Sequence, residues 1–198
     1  MLIPLTSTLE KRVDALALEA GDLFSSPLTP ATRRQAEHLA FQLQTTWELY
    51  VRNFVLISAS GHGSDRSGIV ASSLPFRYRS REAAGHYLIS LYRRRPYEPD
   101  WYKPIDAIQA ANLLRIGNFA KFASAVGSTP WLLDELRLTR NFFAHKSKRS
   151  ALQLRALGWF ASSDKISVET TMTPYVAGGV RRFDSWCTSI KAVANGMI

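Results

Sequence analysis

Apolar residues near the start of the chain recur at steps of three and four. Leu5, Leu9, Val13, Leu16, Ala17, Ala20 and Leu23 predict an amphipathic helix over 5–24. Gly21 weakens its last turn and SSPLTP (25–30) ends it. Thr29 and Pro30 then supply an N-cap and an N1 proline for a longer helix. Its stripe runs Ala36, Ala40, Leu43, Trp47, Tyr50, Phe54 and Ile57, a seam suited to packing along a bundle.

The pattern changes at 58–75, where SASGHGSDRSGIVASSLP predicts a surface loop. GHGSDRSG superficially resembles a phosphate cradle, but no strand precedes it and the GK[ST] ending is missing. Ser80 caps a predicted helix over 81–94, with Ala84, Leu88, Leu91 and Tyr92 on its apolar side and Arg93–Arg95 at its end. PYEPDWYKP (96–104) reads as a connector, followed by helices over 105–116 and 119–126. Thr129-Pro130 repeats the capping signal and opens a helix bearing Trp131, Leu132, Leu133, Leu136, Leu138, Phe142 and Phe143. Apolar positions continue through Ala151, Leu152, Leu154 and Leu157 to Gly158. Residues 166–173 (ISVETTMT) alternate and form the only predicted strand, and Gly178-Gly179 leads into a last helix over 180–194. The fold class expected is all-α: a single-domain antiparallel bundle of five to seven helices spanning 1–198.

Composition narrows the setting. A chain of 198 residues that is 46% hydrophobic can bury a sizeable core. Its 25 Lys and Arg against 16 Asp and Glu give +9, which attracts polyanions, RNA or DNA first, unless the surface is merely basic. Cys187 is the only cysteine, which excludes an internal disulfide and a cysteine-cluster zinc site. His38, His62, His86 and His145 lie far apart without HExxH spacing, so neither a metal nor another cofactor is expected. No secretory signal and no apolar run of about 20 residues is visible, so the expected location is cytoplasmic and no membrane partner is expected.

The chemistry concentrates in Arg140-Asn141-Phe142-Phe143-Ala144-His145. A fixed cation, an amide and an imidazole are groups that can hold a phosphodiester and move protons around it. Histidine can take a proton from a 2′-hydroxyl or give one to a leaving 5′-oxygen near neutral pH. Arginine presents a charged fork to phosphate oxygens. Asn141 can orient His145 or donate to the phosphate. The alternative is structural: an arginine paired with Asp134 or Glu135, and a histidine capping the last carbonyls. Arg140 and His145 are five residues apart, roughly 140° around a helix axis. Either the helix breaks near His145, or the cleft lies between two copies of the chain.

Other basic and aromatic residues have two readings each. Arg137, Lys146, Lys148 and Arg149 can line a phosphate path or form a solvated face. Arg77, Arg79, Arg81, Arg93–Arg95, Arg181 and Arg182 read as solvated surface. Trp101 and Tyr102 can stack on bases, though packing fits them better, and Trp47, Trp131, Trp159 and Trp186 read as core.

The segment LRLTRNFFAHKSKR (136–149) resembles the signature of the HEPN superfamily: Arg, a polar residue, a spacer and His on a helical bundle. Arg140, Asn141 and His145 occupy those positions. TWELYVRNFVL (46–56) is similar to the early long helix of HEPN relatives, with Glu48 as its acidic residue. The Gly/Ser loop, the 96–104 connector and 160–178 have no counterpart. The resemblance implies a metal-independent endoribonuclease, homodimeric, with a composite site that cleaves RNA by 2′-OH attack. It also implies a toxin or effector of a prokaryotic defence or toxin–antitoxin system, restrained by a partner protein. Some members have lost activity and serve as modules that bind RNA or protein or that dimerise.

Overall fold

The computed structural model describes residues 1–75, 78–92, 97–128, 130–160, 163–176 and 178–198, with 130–132 described by backbone alone. The predicted Thr129 cap, the cations Arg77 and Arg93–Arg95, and the packing of Trp131 and Leu132 lie outside the described residues. The protein is all-α. Its helices are α1 (Leu2–Leu23), α2 (Pro30–Ser60), α3 (Arg81–Leu91), α4 (Pro104–Leu113), α5 (Phe119–Gly127), α6 (Pro130–His145), α7 (Lys148–Arg155), α8 (Val168–Thr171) and α9 (Arg182–Gly196). Two small hairpins, β1 (Gly63–Asp65) with β2 (Gly68–Val70) and β3 (Tyr175–Val176) with β4 (Val180–Arg181), complete the described elements. No helix among the described residues is long and apolar enough to cross a membrane.

Capping decides where the helices begin. Helix α1 starts ahead of its stripe because Pro4 falls in the first turn, where its missing N–H costs nothing. Thr29 and Thr32 cap α2 reciprocally: Thr32 N donates to Thr29 Oγ1 at 3.2 Å, and Thr29 N to Thr32 Oγ1 at 2.8 Å. Ser80 accepts from Ala83 N to start α3.

The described chain falls into two compact units. The first comprises Met1–Glu10, Trp47–Pro130 and Ala192–Ile198. An aromatic column runs through it, with ring centroids 5.8 Å from Trp47 to Tyr50, 5.9 Å on to Phe54 and 5.7 Å on to Phe122. The buried Tyr50 hydroxyl meets Thr6 Oγ1 at 2.9 Å, and burial raises its phenol far above the ordinary value. The 97–103 connector is pinned to α2 by a bidentate Arg52–Glu98 pair, and Trp101 Nε1 donates to the same carboxylate at 2.8 Å. Burial alone would raise Glu98, but hydrogen bonds from Arg52 and Trp101 outweigh it and hold the carboxyl below its usual range. Trp101 is therefore a packing residue.

The second unit comprises Lys11–Thr46 and Trp131–Lys191. Val13, Leu16 and Ala20 of α1, Leu39 and Leu43 of α2, Leu136 and Phe143 of α6, and Phe183, Trp186 and Ile190 of α9 are buried in it. Arg181 and Arg182, expected on a solvated surface, are instead half-buried. Arg181 pairs with Asp184 at 3.0 Å, and Arg182 lies 3.8 Å from the centre of the Trp159 ring while bonding the carbonyls that end α8. A guanidinium can be covered in this way because an aromatic face and carbonyls compensate its lost hydration. Trp159 is half-buried beneath it, whereas Trp47 and Trp186 are core.

Three local expectations are corrected. Residues 58–75 do not form a simple loop, since α2 runs on to Ser60 and the DRSG sequence folds into the β1–β2 hairpin. Buried Asp65 organises that hairpin, accepting from Ser67 N at 2.7 Å and from Lys121 Nζ at 3.2 Å. Gly117 lies so close to this segment that a Cβ there would meet Ala71 O at 2.8 Å. The predicted strand over 166–173 holds α8, because Ser167 and Thr170 make a capping box that nucleates a helical turn. The described residues hold nine helices where periodicity predicts five to seven. The excess arises from the one-turn α8 and from a break that the apolar pattern crosses without interruption.

Candidate functional site

That break falls immediately after His145, inside the second unit. Helix α6 buries Leu133, Leu136, Thr139 and Phe143 on one side, which leaves Asn141, Phe142 and His145 on more accessible ground. Lys146 closes the helix in a left-handed conformation, φ +44°, while its N–H donates to Phe142 O at 2.7 Å. Such a closing position usually takes glycine. Here the lysine is tied down, its Nζ meeting Glu37 Oε1 and Oε2 at 3.0 and 3.1 Å. Ser147 then caps α7, accepting from Ser150 N at 3.2 Å.

The three residues singled out in the hexapeptide differ in environment. Arg140 is half-buried, its guanidinium carbon 5.3 Å from the centre of the Phe41 ring. Its Nη1 donates to Asn141 Oδ1 at 3.1 Å, and among the described residues no carboxylate pairs with it. An aromatic face and a neutral amide hold the cation in place without cancelling its charge. Asn141 thus spends its carbonyl oxygen on Arg140, which leaves its amide N–H₂ to donate. His145 is exposed and makes no side-chain hydrogen bond among the described residues.

The predicted phosphate cations divide into two pairs. Arg137 bonds Asp134 at 3.0 Å and Lys146 is engaged by Glu37, so both are neutralised. Lys148 and Arg149 are exposed in the first turn of α7 and have no carboxylate partner among the described residues. Cations at a helix N-terminus oppose the helix dipole, so local helix stability does not account for them. Glu48 is half-buried on α2 and belongs to the first unit, whereas the hexapeptide belongs to the second.

Two features were not legible from the chain alone. A cleft of about 630 Å³ opens beside the hexapeptide, between Arg33 and Glu37 of α2, Phe142, Phe143 and Lys146, and residues 165–169. Its walls come from three separated stretches, and the only local signal was the Phe142-Phe143 pair. The second is Glu135 on α6, which accepts from Trp186 Nε1 at 3.1 Å. Burial lifts its carboxyl above the usual range, against the Trp186 hydrogen bond and the charge of Arg182. Cys187 is chemically quiet, because burial pushes its thiol up to about 12. Among the described residues, no three His, Cys, Asp or Glu side chains gather where they could hold a metal ion.

Comparison of the chain with protein-family models, with characterised proteins and with solved structures finds no match.

Proposed function

We propose that this protein is a HEPN-type endoribonuclease whose site is completed by a second copy of the chain. One observation carries the reading: Arg140 is held in place with its charge uncancelled, and His145 stands exposed on the same helix. Helix α6 is unbroken from Arg140 through His145, so the two remain roughly 140° apart around the axis and about 7.5 Å along it. The break at Lys146 comes one residue too late to swing the imidazole round. A second copy therefore supplies the missing group across a dimer groove.

The chemistry needs no group beyond these side chains. His145 of one copy removes the 2′-hydroxyl proton, the 2′-oxygen attacks phosphorus, and the bond to the 5′-oxygen breaks. The leaving oxygen takes its proton from the second copy's His145. Arg140 and the Asn141 amide stabilise charge on the non-bridging oxygens. Lys148 and Arg149 carry the flanking phosphates. The products are a 2′,3′-cyclic phosphate and a 5′-hydroxyl. A role as a toxin or defence effector restrained by a partner protein is part of the same proposal.

The test is incubation of purified protein with total RNA in EDTA, beside His145→Ala. Cleavage by the wild type alone, leaving 2′,3′-cyclic ends, is the expected result. RNA retained intact by both proteins would instead assign a catalytically silent RNA-binding bundle.

A further inference from the structure

The cleft beside the hexapeptide has a volume of about 630 Å³, inside the range of roughly 300–1,000 Å³ typical of small-ligand sites. Phe142, half-buried, forms part of its wall and packs on buried Phe143 with ring centroids 5.9 Å apart, which limits its motion. Phe142 precedes His145 by three residues, roughly 60° around the helix axis and about 4.5 Å along it. A flat group stacked on Phe142 thus lies one helical turn from the imidazole.

The polar lining is mixed. Arg33 pairs with Glu169, whose carboxylate also takes hydrogen bonds from Ser167 and from its own backbone N–H. Lys165 is exposed and has no carboxylate partner among the described residues, so the cations Arg33, Lys146 and Lys165 outnumber the carboxylates on the wall. An aromatic face and an excess positive charge together match a nucleotide: a base to stack and a phosphate to neutralise.

We propose that this cleft is the base-binding subsite for the nucleotide adjoining the scissile phosphate, with Phe142 as the stacking ring. The inference rests on the ribonuclease reading for its placement beside a scissile bond, but base binding can be measured without cleavage.

The experiment uses the full chain carrying His145→Ala and short oligoribonucleotides with a single 2-aminopurine, whose fluorescence falls on stacking. Quenching on binding is expected. Phe142→Leu, which keeps the apolar packing, is expected to weaken binding about 5- to 100-fold, whereas Phe142→Trp retains it. Melting of each variant, followed by circular dichroism, separates lost binding from lost folding. Absence of quenching, or equal affinity for the Leu and Trp variants, overturns the subsite. Wild-type cleavage that is indifferent to Phe142 sinks the subsite and leaves the ribonuclease reading standing. Phe142-dependent base binding without wild-type cleavage does the reverse.

Discussion

Arg140 and His145 share one helix yet occupy opposite environments, and that contrast sets what each substitution does. Lysine at position 140 keeps the charge but loses both the planar face over Phe41 and the fork that fits phosphate. Arg140→Lys is expected to cost about 0.5–1 kcal/mol in urea denaturation and to lower RNA cleavage by a larger factor. A loss of stability without loss of turnover would make Arg140 purely structural. Glu135 carries the pH dependence at this scale. Burial raises its pKa in the folded state, against weaker opposition from Trp186 and Arg182, so the folded protein binds that proton more tightly than the unfolded chain. Its contribution to stability is therefore greatest below the ordinary carboxylate range and falls as pH rises through that range to the folded-state value. Denaturant melts at a series of pH values should show wild type losing ground to Glu135→Gln across that window. Parallel curves would contradict it. Periodicity gives no sign of Glu135, because a carboxylate looks the same in sequence whether its helix face is wet or covered.

Among the elements, the junction of α6 and α7 is the most informative. Ser147 with Ser150 and the left-handed Lys146 impose a stop that the apolar pattern does not reveal. The same turn places Lys148 and Arg149 on the positive end of α7. Reversing both to Glu should stabilise the fold by about 0.3–1 kcal/mol per residue, since acidic groups suit a helix N-terminus. It should also weaken RNA binding and flatten its salt dependence by about two contacts. Opposite signs for stability and binding are the diagnostic outcome, read from thermal melts and filter binding at several salt concentrations. If both fall together, the cations are structural. Elements announced by side-chain chemistry, such as the caps at Thr29 and Ser80, are legible in the sequence. The β1–β2 hairpin is not, because strands of three residues are too short to show alternation.

For the whole molecule, the ribonuclease proposal requires two chains. Sedimentation should give a dimer at micromolar concentration. Wild-type protein mixed with excess His145→Ala and allowed to exchange subunits should lose cleavage beyond simple dilution, because each mixed dimer keeps only one of the two imidazoles. A strict monomer with full cleavage would defeat the composite site. The chain's charge of +9 suits a polyanionic substrate but does not place it. Placement depends on which cations are left unpaired. Asp134 neutralises Arg137 and Glu37 neutralises Lys146, while Lys148 and Arg149 have no carboxylate partner among the described residues.

The sequence by itself determined the all-α class, most helix starts and the hexapeptide, because helical period, capping side chains and residue chemistry are local properties. It also carried the five-residue spacing that keeps Arg140 and His145 apart, since an unbroken helix fixes the angle between them. Only the tertiary structure decided that Phe41 covers Arg140, that Glu37 reaches Lys146 across more than a hundred residues, and that a cleft opens beside Phe142. Those contacts join segments far apart in the chain, so their pairing depends on how the helices pack rather than on any pattern within one helix.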